Sequence, residues 1–115
     1  MNFLDSATIL QQATGQRLYD ALLLQLQKDF GLANCYIDLE KSTPPEQLQK
    51  ELHERVYILL MEKFTEYLNL LYVIDVPEKA FKNIKVTDAV EVAEQVAFLI
   101  LKREFQKVSL KAKYS

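Results

Sequence analysis

Residues 43–72 read TPPEQLQKELHERVYILLMEKFTEYLNLLY, and this stretch decides the fold. It opens on Thr43-Pro44-Pro45-Glu46. Threonine can cap a helix, proline fits a first turn because its missing N–H costs nothing there, and a glutamate three residues after the threonine completes a capping box. The spacing predicts one helix from that signal to about Tyr72. At about 100° per residue, Leu52, Val56, Tyr57, Leu59, Leu60, Met61, Phe64, Tyr67, Leu68, Leu70 and Leu71 cover roughly 220° of its circumference. Glu51, Glu54, Glu62, Thr65, Glu66 and Asn69 fill much of the rest. An ordinary surface helix buries a narrower stripe. This one is expected to lie centrally against two or more neighbours, or to bury part of its face in a partner chain.

On the N-terminal side, residues 5–30 form the first helical region. Phe3, Ala7 and Leu10, then Leu18, Leu22, Leu26 and Phe30, stand at helical spacing. Thr14-Gly15 interrupts them. Either one long helix tolerates the glycine with a kink, or a short helix precedes a second that begins near Thr14. Gly31 is read as the C-terminal stop. Residues 32–42 have no helical period. Cys35-Tyr36-Ile37-Asp38-Leu39 alternates weakly, but a lone short strand has nothing to pair with, so the segment reads as a loop packed on the helices. On the C-terminal side, Asp75-Val76-Pro77-Glu78 repeats the capping logic, with Asp75 as cap of a short helix through about Asn83. Thr87 and Asp88 start the last long helix, which runs to about Lys107 or beyond. Its apolar face is Ala89, Val92, Ala93, Val96, Ala97, Ile100 and Leu101, and its alanines permit close helix approach. The sequence thus predicts a single domain over residues 1–115, all-α, a helical bundle of three long helices plus one or two short ones.

Composition agrees. Hydrophobic residues make up 50% and charged residues 26%, which supplies a core and a charged surface. With only 2 Gly and 3 Pro, few tight turns can be built, which favours long elements over a many-turned β fold. The net charge of −2 lacks the basic footprint of a nucleic-acid binder. Residues 102–115 carry a local +4, from Lys102, Arg103, Lys107, Lys111 and Lys113 against Glu104. Cations there complement a helix dipole, the alternative being a phosphate-binding tail. No run approaches the roughly 20 apolar residues that span a bilayer. The start of the chain has no signal-peptide pattern, and the single Cys35 has no intramolecular disulfide partner. A cytoplasmic location without membrane contact is expected.

The chemistries that leave a sequence signature lack their residues. His53 is the only histidine, so paired Glu-x-x-His metal ligation fails. The Glu62/Glu66 and Glu91/Glu94 pairs read as solvated helix surface. Two glycines cannot build a phosphate-cradling or nucleophile-elbow loop, and Cys35 reads as a packing residue. No catalytic residue, metal or cofactor is expected.

One ligand site can be composed. His53 lies in line with Leu60, Phe64 and Leu71, inside the apolar arc. It reads either as a hydrogen-bonded core histidine, or one at the bundle end with its tip in water, or as part of a site. Antiparallel packing of the two longest helices would bring His53 and Tyr57 to Arg103, Glu104 and Lys107, a polar cluster able to take an anion or small ligand.

Leu71-Tyr72-Val73-Ile74-Asp75-Val76-Pro77-Glu78, followed by Lys102-Arg103-Glu104-Phe105-Gln106-Lys107, resembles a small all-helical bacterial family of unknown function. Its members carry a Leu-Tyr-x-Ile-Asp-Val-x-Glu turn and a basic, glutamine-containing final helix. Glu104-Phe105 stands where that family has a glutamine-containing pair. The resemblance implies the helical fold and no activity. The function expected from the apolar arc is that of a non-catalytic interaction protein, either a homodimer or a binder of a helical protein partner. A small-ligand or anion-binding module is the alternative.

Overall fold

The computed structural model describes residues 5–114, so Phe3 of the first helical pattern lies outside the described residues. Five α-helices follow in order: α1 (Ser6–Gly15), α2 (Tyr19–Leu32), α3 (Pro45–Glu62), α4 (Phe64–Ile74) and α5 (Ala89–Tyr114). A 3-10 helix, Glu78–Asn83, sits between the last two. The described residues contain no strand. The class is all-α, a helical bundle, as the periodicity requires.

α5 is the spine, and α1, α2, α3 and α4 all pack on it, α3 most extensively. His53 of α3 meets Val90 at the start of α5. Glu46 and Gln49, earlier in α3, share a cleft with Ala97 and Leu101, later in α5. The two helices therefore run antiparallel. α2 also runs antiparallel to α5, with Asp29 against Lys107 and Gln25 against Lys111. A single core joins Ile9 and Leu10 of α1, Leu22, Leu26 and Phe30 of α2, Leu48, Leu52 and Val56 of α3, Leu70 and Ile74 of α4, and Val96, Ile100 and Leu101 of α5.

The loop before α3 is extended. Ala33, Cys35, Ile37 and Leu39 are buried, while Asn34, Tyr36, Asp38 and Glu40 are exposed. This is the period of two of an extended chain, laid flat on the bundle without a partner strand. Side chains hold it there. The Gln27 amide donates to the Leu39 carbonyl, and the Tyr19 hydroxyl donates to the Thr43 carbonyl at 2.6 Å.

Several boundaries differ from the sequence reading, each for a local reason. The region 5–30 is two helices. α1 and α2 each end in a residue with left-handed backbone, Arg17 at φ 60° and Asn34 at φ 57°. In both, the next amide bonds back five residues, Leu18 N–H to the Ala13 carbonyl and Cys35 N–H to the Phe30 carbonyl, which is the Schellman closure. Gly31 is therefore not the stop. It lies inside α2, and Asn34 takes the left-handed position.

Thr43 does not cap α3. The cap residue is Pro44, and the Thr43 hydroxyl instead accepts from the Glu40 N–H at 3.0 Å, closing the turn before the helix. The helix expected over residues 43–72 is two helices, because Lys63 leaves helical conformation at φ −138°, ψ 63°. Backbone hydrogen bonds persist on both sides of it, Lys63 N–H to the Leu59 carbonyl and Tyr67 N–H to the Lys63 carbonyl. Asp75 ends α4 instead of starting the next element, with a left-handed φ of 66° and the same closure, Val76 N–H to the Leu71 carbonyl. The α5 start stands as read: Asp88 Oδ1 accepts from the Glu91 N–H at 2.9 Å. α5 continues past Lys107 to Tyr114.

Candidate functional site

The five residues grouped from the sequence separate in the fold. His53 sits midway along α3, so antiparallel packing sets it against the first turn of α5 and not against its far end. Its Nε2 lies 3.1 Å from the Val90 carbonyl oxygen. A carbonyl only accepts, so the ring carries its proton on Nε2 and donates it. This is the hydrogen-bonded histidine of the sequence reading, half-buried at an interhelical contact. Arg103 lies thirteen residues further along α5, which at 1.5 Å per residue is roughly 20 Å away. Tyr57, one turn beyond His53 in α3, faces solvent.

Arg103 closes the end of α4. Its Nε donates to the Asp75 carbonyl at 3.0 Å, and its guanidinium reaches Asp75 Oδ2 at 3.3 Å. The left-handed cap of α4 is thereby pinned to α5. Glu104 and Lys107 do come together, but inside the protein and with partners the sequence grouping omitted. Lys107 Nζ donates to Asp29 Oδ2 at 2.8 Å and stands 3.1 Å from Glu104 Oε1. Gln25 Nε2 donates to the same Asp29 oxygen at 3.0 Å, and Lys111 Nζ donates to Gln25 Oε1 at 2.6 Å. Asp29 is 4% exposed and Glu104 is fully buried, so the row of polar side chains between α2 and α5 is part of the core.

Electrostatics follow from that burial. Desolvation first, then the hydrogen bond and charge of Asp29, push the Glu104 carboxyl up to about 8, against the pull of Lys107. Burial also acts to raise Asp29. Hydrogen bonds from Glu104, Lys107 and Gln25, with the Lys107 charge, outweigh it and hold Asp29 below its usual range. Gln25 and Asp29 were hidden because both lie in a polar-looking stretch, Gln25 to Asp29. Their four-residue spacing, matched to Lys107 and Lys111 on the partner helix, is the only signal that could have found them.

An anion would find little free charge here. Arg103 is held by Asp75, Lys107 by Asp29 and Glu104, and Lys111 by Gln25. Among the described residues no group of His, Cys, Asp and Glu is placed to hold a metal ion. No helix of the described residues is long and apolar enough to cross a membrane. Cys35 is buried, its Sγ 3.4 Å from the carbonyls of Ala33 and Glu66, and burial raises its thiol further above the ordinary value.

The second feature is apolar. The wide arc of residues 43–72 is only partly covered by its own chain: Leu52, Val56, Leu59, Tyr67 and Leu70 are buried in the core. Tyr57, Ile58 and Met61 on α3 and Phe64, Leu68 and Tyr72 on α4 stay at 36–86% exposure. Phe64, Leu68 and Tyr72 recur every four residues and so share one face of α4. Met61 and Phe64 flank the Lys63 joint, which carries the strip from one helix to the next. Phe64 stacks on Tyr67, with ring centres 5.4 Å apart. The strip continues into a groove of about 540 Å³ between α4 and the 3-10 helix, lined by Leu68, Leu71, Tyr72, Val76 and Phe81.

No protein-family model, no curated protein and no solved structure matches the chain.

Proposed function

We propose that the protein is a non-catalytic interaction protein that pairs with a second copy of itself through the outer face of α3 and α4. The observation that carries this reading is the exposed strip Tyr57, Ile58, Met61, Phe64, Leu68 and Tyr72. At about 200 Å² for a large side chain, its exposed part amounts to roughly 600 Å². That is at the upper end of the roughly 300–600 Å² found for the largest apolar patch of a monomer. It also approaches the roughly 800 Å² that each partner of a stable complex contributes.

A second copy is favoured over a foreign helix by the charge at the joint. Glu62 and Lys63 lie between Met61 and Phe64 in the chain, both exposed. A two-fold axis near them would set Glu62 of one copy against Lys63 of the other, opposite charges that would favour self-pairing.

Size-exclusion chromatography with light scattering, run over a concentration series, tests this. The expected result is a mass rising from one chain to two. Met61→Glu and Leu68→Glu, both at exposed positions, should return it to one chain with an unchanged circular dichroism spectrum. One chain mass at every concentration defeats the proposal.

A further inference from the structure

Two carboxyls face one ammonium group in the core between α2 and α5. The shortest contact of Lys107 Nζ, 2.8 Å, goes to Asp29, as does the Gln25 amide at 3.0 Å. Glu104 lies within ion-pair distance of Lys107, but neither of its fully buried oxygens accepts an aligned hydrogen bond from a donor group. With both carboxyls ionised, the site holds one negative charge in excess. With Glu104 protonated it is neutral, and the Glu104 hydroxyl becomes the donor that Asp29 accepts.

The surrounding elements do not supply the missing charge. On α5, Arg103 is bonded outward to Asp75, and Lys111 to Gln25. On α2, Lys28 is exposed. α1 contains no titratable side chain, and the core face of α3 is Leu48, Leu52, Val56 and Leu59. α4 brings Tyr67, whose phenol burial keeps protonated, and Glu66, which acts on Cys35.

We propose that Asp29, Glu104 and Lys107 form a proton-operated latch between α2 and α5, in which Glu104 carries a proton when the helices are locked and its loss loosens the C-terminal half of α5 from α2. This device is independent of the outer apolar face. An unfolded chain releases the Glu104 proton near the ordinary value of 4.5, the folded chain only near 8. Between these values the folded state binds one proton more, so rising pH works against it. The contribution of the latch is complete below the ordinary glutamate value and is lost as pH rises through about 8. Asp29 acts in the opposite sense: its contribution is present above the ordinary aspartate value of 3.8 and is lost as pH falls through its lowered folded value.

Infrared spectroscopy of the full chain reads the proton directly. At pH 6 the exposed carboxyls are ionised, so a protonated-carboxyl band should be visible, vanish towards pH 9, and be missing from Glu104→Gln. Amide exchange, corrected for its intrinsic pH dependence, should show protection of residues 22–30 and 100–108 falling at least tenfold from pH 6 to 9. In Glu104→Gln, which keeps a donor for Asp29 but cannot ionise, that fall should be absent. A wild-type chain without the band at pH 6, or a Glu104→Gln variant with the same pH-dependent loss of protection, overturns the proposal. The wild-type infrared titration decides it even if the variant does not fold.

Discussion

At the scale of single residues, the molecule is organised by polar side chains that have lost their water. Lys107 is the clearest case. Its side chain is 18% exposed and its partner carboxylate at Asp29 only 6%. Removing the cation strands a buried charge, whereas removing both members leaves none. Lys107→Met is therefore expected to destabilise the fold by about 3 kcal/mol at pH 6. The double variant Asp29→Asn with Lys107→Met should recover more than half of that loss. Urea midpoints of the wild type and of these two variants measure both effects. Equal losses in the single and double variants would show that the methylene stem of Lys107, not its charge, is what matters. His53 shows the opposite economy: one hydrogen bond to the Val90 carbonyl satisfies it, and its place inside the apolar arc needs no ligand.

At the scale of elements, three helices end on left-handed residues that are not glycine: Arg17, Asn34 and Asp75. Both glycines lie within helices with no neighbouring atom near a built Cβ and no positive φ. Gly31→Ala is accordingly expected to stabilise the fold by about 0.5–1 kcal/mol, because it removes backbone entropy from the unfolded chain at no steric cost. Asn34→Ala, at the true stop, should destabilise by about 1 kcal/mol. Thermal unfolding of the two variants checks which residue ends α2, since a stop at Gly31 would reverse both signs.

The same comparison shows what the sequence made legible. The helical class, the packed extended segment and the Asp88 start of α5 were readable because periodicity and capping are local. The Thr43 cap was misplaced because its hydroxyl serves a turn with Glu40, and Asp75 was misread because a capping residue and a left-handed terminator share the same chemistry. The Lys63 joint has no proline or glycine to announce it. The polar row of Gln25, Asp29, Glu104 and Lys107 was half legible: Glu104 and Lys107 could be grouped as polar side chains of α5, but their partners on α2 are more than seventy residues away in sequence.

At the scale of the whole molecule, the bundle has no separable part. Every helix contributes to one continuous core, and the extended segment adds Ala33, Cys35, Ile37 and Leu39 to it. Side chains tie the long segment between α2 and α3 to α2, Tyr19 to Thr43 and Gln27 to Leu39, and tie the end of α4 to α5, Arg103 to Asp75. α4 exposes Phe64, Leu68 and Tyr72, and so is a place where partial unfolding would start. Yet Leu70 and Ile74 are fully buried, and Arg103 holds the end of α4 to the spine. Opening α4 alone would expose those side chains and the core they share with α2, α3 and α5. Urea unfolding is therefore expected to be a single cooperative transition. Tyrosine fluorescence, to which Tyr67 and Tyr72 on α4 contribute, should follow the same curve as far-ultraviolet circular dichroism, which reports all five helices. A fluorescence change that precedes the loss of helix would place α4 in a separate cooperative unit and contradict the single core.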